Sequence, residues 1–185
     1  MNKQAWKTQA AWVGALSGGV FFGMMPLLTW WEREFYQRSE PYFLCPVKVA
    51  SNTARFRHDS YGGGRFGASR NGRRMHEGID LAAAIGAPVF SSKSGRVAWA
   101  GEGKGYGKYV ELLHPDGHRT RYAHLSAIQV REGAWVVQNQ IIGASGKTGN
   151  ADHTRIKPHL HFEIRNKHTA VNPTSGLLDP SITIK

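Results

Sequence analysis

The distribution of glycine and of β-prone residues constrains the fold of this chain more than any other feature. Beyond residue 46, short segments rich in Val, Ile, Tyr, Phe and Trp alternate with glycine-rich turns, and no segment keeps a 3.6-residue apolar period. The predicted strands cover residues 87–90, 95–100, 108–113, 119–124, 134–137, 140–143 and 159–164. Strands at this spacing are typical of a sandwich or a rolled sheet, so we expect an all-β domain over residues 46–185.

The N-terminal part is a different kind of sequence. Residues 10–31 hold no charged side chain and are long enough to cross a bilayer as one helix. Lys3 and Lys7 precede this run, and the positive-inside rule then places the N-terminus in the cytoplasm and the rest outside. A cleaved signal peptide or a buried soluble helix are the alternatives, but Thr29 and the residues after it make a poor cleavage site. We expect residues 1–45 to form a cytoplasmic N-terminus, a transmembrane anchor and a tether, with residues 46–185 in the periplasm.

Charge narrows the class of partner. The formal net charge is +11, and residues 1–45 hold four basic and three acidic residues, which leaves a net +10 on residues 46–185. An exported basic domain suits an acidic polymer outside the cytoplasm and makes nucleic acid a poor expectation, although general solubility would also explain the charge. Cys45 is the single cysteine, so an intramolecular disulfide framework and a Cys-rich zinc module are excluded.

Histidine and aspartate offer a candidate metal site. His76 and Asp80 stand four apart around a glycine, and His159 and His161 stand two apart in a predicted strand, where alternation sends both to one face. His124 ends another predicted strand. Catalytic zinc uses three protein ligands of the imidazole and carboxylate type with a fourth position open. Each motif alone is a weak signal, and the combination in a β context is far more specific.

The motifs together resemble peptidase family M23, the lysostaphin-like or LytM-type enzymes. The resemblance rests on His76-Glu-Gly-Ile-Asp80, Gly105-Tyr-Gly107, Tyr122-Ala-His-Leu-Ser126, Gly146-Lys-Thr-Gly149 and His159-Leu-His-Phe-Glu163, and it covers residues 58–180. It implies a β-rich fold with an open groove and a zinc-dependent endopeptidase that cuts peptide bridges of peptidoglycan. By the same resemblance, the zinc ligands are His76, Asp80 and His161, and the catalytic histidines are His159 and His124.

The expected chemistry agrees with that resemblance. Zinc acidifies a water and polarises the scissile carbonyl. One neutral imidazole, for which we favour His159, takes the proton, while a second and protonated one, His124, stabilises negative charge. Glu163 either orients an imidazole or forms a salt bridge, and Arg70 either meets a substrate carboxylate or is simply exposed. The remaining histidines are expected to be solvated: His58, His114, His118, His153 and His168.

Residues 150–158 depart from the family pattern, because this link is longer and more charged than the usual one. It should border the groove, and Asp152 or His153 could reach the open zinc position. Two other functions remain as alternatives: a catalytically silent wall-binding protein or activator of another murein hydrolase, and a nucleic-acid-binding membrane protein. Silent relatives typically lose metal ligands, whereas this chain keeps all three. The role could be in division, in remodelling or beside an envelope-spanning machinery.

Overall fold

The computed structural model describes residues 34–70, 72 and 74–185. Residues 34–39 are helical, and 3₁₀ turns cover Ala50–Asn52 and Gly149–Ala151. The strands are β1 (Thr53–Ala54), β2 (His58–Asp59), β3 (Gly62–Gly63), β4 (Ser69–Arg70), β5 (Arg74–Met75), β6 (Ile79–Ala82), β7 (Pro88–Phe90), β8 (Gly95–Gly103), β9 (Gly107–Leu113), β10 (His118–Ile128), β11 (Trp135–Val136), β12 (Ile141–Ser145), β13 (His159–Asn166), β14 (Thr169–Val171) and β15 (Thr183–Ile184). The all-β prediction is confirmed, and the seven predicted strands correspond to β7 through β13.

One large sheet organises this part of the chain. Within the described residues it has nine strands, in the order β11-β8-β9-β10-β12-β7, with β13 also paired to β10 and flanked by β14 and β6. Strand β10 is long enough to change partners: its first half pairs with β13 and its second half pairs with β12, with a register shift between Leu125 and Ala127. Such irregularities bend a strand, so the sheet can curve around β10.

The apolar core is built on this sheet. Apolar side chains of its central strands are fully buried, among them Leu112, Tyr122, Leu125, Leu160 and Phe162. Burial of each such side chain stabilises the fold by about 1.5–3 kcal/mol.

The segment before residue 46 also packs on the sheet. The Tyr36 hydroxyl donates to the backbone oxygen of Ser94 over 3.1 Å, and the Ser94 amide donates to Glu40 over 2.7 Å. Phe43 is 3% exposed and forms a parallel bridge with Leu178. Residues that the sequence analysis assigns to a tether thus contribute to the domain, and the predicted division at residue 45 stays a prediction.

The predicted transmembrane span, residues 10–31, lies outside the described residues. Among the residues that are described, no helix combines the length and the apolar character needed to cross a membrane. The anchor therefore stays a prediction.

One expectation about histidine is wrong. His114 begins the turn before β10, yet it is 2% exposed rather than solvated. Its Nδ1 lies 2.9 Å from the Ser94 carbonyl oxygen and its Nε2 lies 2.8 Å from the Thr120 hydroxyl. Both ring nitrogens have partners, which is what allows a polar ring to be buried there.

Candidate metal centre and groove

Pairing of β6 with β13 builds the candidate metal centre. In this antiparallel register Asp80 lies opposite His161, and His76 approaches both from the segment before β6. The Asp80 Oδ1 atom is 3.0 Å from His76 Nε2 and 2.8 Å from His161 Nδ1, and the two nitrogens are 3.0 Å apart. Gly78 permits the approach, because a Cβ atom there would stand 2.5 Å from the carbonyl oxygen of Phe162.

Hydrogen bonds behind the two imidazoles orient them. His76 Nδ1 lies 2.9 Å from the Arg65 carbonyl oxygen, and since a carbonyl only accepts, Nδ1 carries the proton and the Nε2 lone pair faces the centre. His161 Nε2 lies 2.9 Å from Glu163 Oε1, which directs Nδ1 towards Asp80. Burial opposes charge on His161, but hydrogen bonds to the carboxylates of Asp80 and Glu163 raise its pKa to about 9. Metal binding at Nδ1 would displace the proton held there.

The second oxygen of Asp80 is held by arginine. Its Oδ2 accepts from Arg57 Nη2 over 3.0 Å and from Arg70 Nη2 over 2.7 Å. Burial opposes ionisation of Asp80, yet hydrogen bonds with His161 and His76 keep its pKa well below the usual value. Arg70 is therefore not simply exposed, because it binds Asp80 and the backbone oxygen of Gly63. It also lines the groove, and its contact with a substrate carboxylate stays a prediction.

This donor set fits a zinc ion. His76, Asp80 and His161 are all buried, and their ligand atoms all lie within 4.8 Å of one another. Two imidazole nitrogens and one carboxylate oxygen are the three protein ligands typical of a catalytic zinc site. The structure brings the three predicted ligands together, and their role as ligands stays a prediction.

His159 and His124 stand beside this centre with their ring centroids 5.0 Å apart. His159 Nδ1 donates to the Lys157 carbonyl oxygen over 2.7 Å, and His124 Nδ1 donates to that of Thr148 over 2.8 Å. In a neutral ring this places the proton on Nδ1 and leaves Nε2 as the acceptor. Burial, the largest cause in both, lowers the pKa of His159 to about 4 and that of His124 to about 3. Both rings are neutral in the free groove, which differs from the expectation of one protonated partner.

Glu163 joins the centre to a buried charge network. It is 1% exposed, and its Oε1 accepts from the Tyr106 hydroxyl over 2.8 Å in addition to the contact with His161. Its Oε2 lies 2.7 Å from Arg165 Nη1 and 3.4 Å from Arg121 Nη1. Burial opposes its ionisation, but the hydrogen bond from His161 and the nearby arginines lower its pKa to about 2. Of the two predicted roles, the structure supports both at once: Glu163 orients His161 and forms ion pairs.

An open groove of about 610 Å³ runs over the centre. Its floor holds the residues described above, and Tyr61 and Tyr106 contribute aromatic walls. Arg74 and Lys104 are exposed at its lining, and so is Glu77, whose carboxylate is paired with Arg165 over 2.9 Å. The groove is therefore large enough for a peptide and carries exposed positive charge at its rim.

The 150–158 segment borders the groove, as expected. Asp152 and His153, which were predicted to reach the open zinc position, do not lie at the metal centre. Asn150, Ala151 and Ile156 line the groove. His153 turns to Tyr61 instead, with its Nε2 3.2 Å from the tyrosine hydroxyl and the ring centroids 4.6 Å apart. Asp152 is exposed and is not part of the lining.

Arg57 is the site residue that the sequence reasoning missed. Its side chain is 4% exposed and contacts both Asp59 and Asp80. A lone arginine between two very short strands forms no motif with recognisable spacing, so no signal in a single sequence could identify it.

A large β-sheet that holds a buried His-Asp-His group below an open groove, with His124 and His159 beside it, defines the class of protein to which this chain belongs. The chain belongs to peptidase family M23, because residues 74–173, more than half of its 185 residues, match that family. The predicted family resemblance is confirmed.

The chain is similar to named members of this class. It is 42% identical over 111 residues to the DD-carboxypeptidase/endopeptidase Mpg of Neisseria meningitidis, which is 60% of this chain and 25% of the relative. It is 40% identical over 109 residues to the murein hydrolase activator NlpD of Escherichia coli, which is 58% of this chain and 27% of that protein. The chain thus spans about a quarter of the length of each of these two relatives.

A solved structure supports the same relationship. The zinc containing peptidase from Vibrio cholerae superimposes with a TM-score of 0.59 at 32% identity, over 76% of this chain and 41% of that one. The fold is therefore shared with a peptidase of this class.

Proposed function

We propose that this chain is a zinc-dependent endopeptidase that hydrolyses peptide cross-links of peptidoglycan. The observation that carries the proposal is the meeting of His76, Asp80 and His161, whose ligand atoms are 2.8–3.0 Å apart, beside two neutral histidines with free Nε2 atoms. The similarity to a DD-carboxypeptidase/endopeptidase and to a zinc containing peptidase supports it.

The residues of the chain suit peptide hydrolysis. His76, Asp80 and His161 would hold zinc, and a zinc ion at such a site polarises a carbonyl group and makes water more acidic. His159 then acts as the base, because its Nδ1 is occupied by Lys157 and its Nε2, 3.8 Å from Asp80 Oδ1, faces the centre. The imidazolium formed in this way protonates the leaving amine.

His124 supports the base rather than replacing it. Its ring lies edge-on to that of His159, and its free Nε2 offers a second hydrogen-bond acceptor in the groove. Because it is neutral in the free groove, we assign it the orientation of water and substrate. It can hold positive charge only once negative charge develops in front of it.

The rim of the groove favours an anionic peptide. Arg74 and Lys104 are exposed there, and residues 46–185 carry the net positive charge of the chain. Cross-links that carry free carboxylates, such as D-alanyl–diaminopimelate bridges, suit this rim better than uncharged glycine bridges.

The membrane arrangement is part of the same proposal. Residues 1–45 would anchor the chain as a single-pass protein of the inner membrane, and residues 46–185 would act in the periplasm, where an envelope-spanning machinery could use them. Fractionation of cells and protease treatment of spheroplasts test this: the domain should be membrane-bound and digested without lysis. Resistance to protease until lysis would contradict the orientation.

The enzymatic test uses the full-length chain loaded with zinc and purified peptidoglycan, with released muropeptides identified by mass spectrometry. Release should disappear with a chelator and with His161→Ala, and should persist in His168→Ala, because His168 is exposed. No release by the zinc-loaded wild type, or undiminished release by His161→Ala, would contradict the proposal.

A catalytically silent role is the second candidate, because the chain is as similar to a murein hydrolase activator as to a peptidase. This alternative predicts peptidoglycan binding without release, and increased release when a separate murein hydrolase is added. The same increase with His161→Ala would favour it over the enzyme.

A further inference from the structure

Arg57 lies between two carboxylates, outside the stretch that matches the family. Its Nη1 is 2.6 Å from Asp59 Oδ2, and its Nη2 and Nε are 3.0 Å and 3.2 Å from Asp80 Oδ2. The side chains of Arg57 and Asp59 are each 4% exposed. Burying such charges costs free energy unless their contacts compensate for the lost hydration. We therefore ask which contacts the buried Arg57–Asp59 pair makes.

The first set of contacts determines which oxygen of Asp80 faces the metal centre. Arg57, together with Arg70, engages Oδ2, so Oδ1 is the oxygen left to face His76 and His161. Backbone contact reinforces the arrangement, because the Arg57 amide donates to the Asp80 carbonyl oxygen over 2.8 Å. Asp80 is thereby fixed as a ligand that offers a single oxygen.

The second set of contacts connects Asp59 to His159, the residue proposed as the base. Asp59 Oδ2 also accepts from the Lys157 amide over 3.0 Å, and its Oδ1 accepts from the Tyr61 amide over 2.9 Å. The carbonyl oxygen of Lys157 in turn accepts from His159 Nδ1 over 2.7 Å. A continuous chain of contacts thus runs from Asp80 through Arg57, Asp59 and Lys157 to His159.

We propose that Arg57 and Asp59 are positioning residues that hold the metal-ligand carboxylate and the base in one frame. Arg57 fixes which oxygen of Asp80 meets the metal, and Asp59 fixes the Lys157 backbone that orients His159. Residues that orient ligands from behind typically change metal affinity about 10–100-fold when they are replaced. The inference rests on the proposed function, since it needs a metal at Asp80 and a base at His159.

The test measures zinc affinity and kinetics separately in the full-length chain. Arg57→Lys keeps the charge but loses the planar fork that reaches both carboxylates, so zinc affinity, measured against a competing fluorescent chelator, should fall about tenfold or more. Arg55→Lys is the matched control: Arg55 lies on the same segment with an exposed side chain, and its replacement should leave affinity unchanged.

Asp59→Asn separates the second role from the first. Asparagine has one side-chain oxygen, whereas Asp59 uses two to accept from the amides of Lys157 and Tyr61, so one of these contacts is lost while Arg57 still reaches Asp80. We therefore expect kcat for muropeptide release to fall more than zinc affinity, with KM near that of the wild type. This variant also decides the matter if circular dichroism shows that Arg57→Lys does not fold.

The outcomes distinguish this inference from the proposed function. A folded Arg57→Lys with wild-type zinc affinity, or Asp59→Asn with wild-type kcat, would overturn the positioning role and leave the proposed enzyme intact. A wild-type chain that binds no zinc would overturn both.

Discussion

Acidification should destabilise the domain through His114, which lies outside the candidate metal centre. The ring is 2% exposed and its nitrogens face the Ser94 carbonyl oxygen and the Thr120 hydroxyl. Burial lowers its pKa to about 4, although the Ser94 carbonyl favours the protonated form. In the unfolded chain a histidine has a pKa of about 6.5.

The sign and the size follow from these two values. Between them the unfolded chain binds more protons than the folded one, so the free energy of unfolding falls as the pH falls. The stability is complete above about pH 6.5 and is lost as the pH drops towards about 4. Linkage between pKa values of about 4 and about 6.5 gives a loss of about 2 kcal/mol between pH 7 and pH 5 from this side chain alone.

Urea unfolding followed by circular dichroism at pH 7, 6 and 5 measures the effect. His114→Gln cannot titrate, so its free energy of unfolding should fall by about 2 kcal/mol less than that of the wild type over this range. All other groups are the same in both proteins and cancel in the comparison. His168→Gln, which replaces an exposed histidine, should keep the wild-type pH dependence. Identical pH dependence in wild type and His114→Gln would refute the reasoning.

Two further substitutions test the site and the domain. Glu163→Gln removes the charged acceptor behind His161, so zinc affinity measured by chelator competition should fall about 10–100-fold, whereas Glu111→Gln, which loses a charge without touching His161, should not change it. Phe43→Ala should lower the free energy of unfolding in urea by about 3–5 kcal/mol, because a buried ring is removed, whereas Tyr42→Ala at an exposed ring should change it by less than about 1 kcal/mol. A stable Phe43→Ala would mean that the segment before residue 46 is a tether after all.

The sequence predicted the long strands because each is a run of β-prone residues bounded by glycine-rich turns. Strand β6 escaped prediction because it has only four residues, Ile79–Ala82, and two of them, Asp80 and Ala82, are of types that are depleted in strands. The pairing of β6 with β13, which places Asp80 against His161, could therefore not be derived from periodicity.

The motifs in the sequence were enough to predict which residues form the site. Their protonation states could be derived only from the folded structure. That His124 and His159 are neutral depends on burial and on the carbonyl oxygens of Thr148 and Lys157. The turn at His114 predicts a solvated ring because turns are usually solvated. The ring is instead buried, and Phe43 of the N-terminal segment lies edge-on to it with the centroids 5.6 Å apart.

Strand β6 carries Asp80 and is held on one side by the segment that precedes it in the chain. How long the three candidate ligands stay together therefore depends on that segment. One edge of β6 pairs with β13, while on the other the amides of Asp80 and Ala82 donate to the carbonyl oxygens of Gly64 and Arg55, both over 2.8 Å. A slip of one residue would turn Asp80 to the opposite face, so the register of four residues determines whether the ligands meet. Hydrogen exchange at these two amides therefore reports how often the upstream segment opens, and with it how often the site comes apart without unfolding of the sheet.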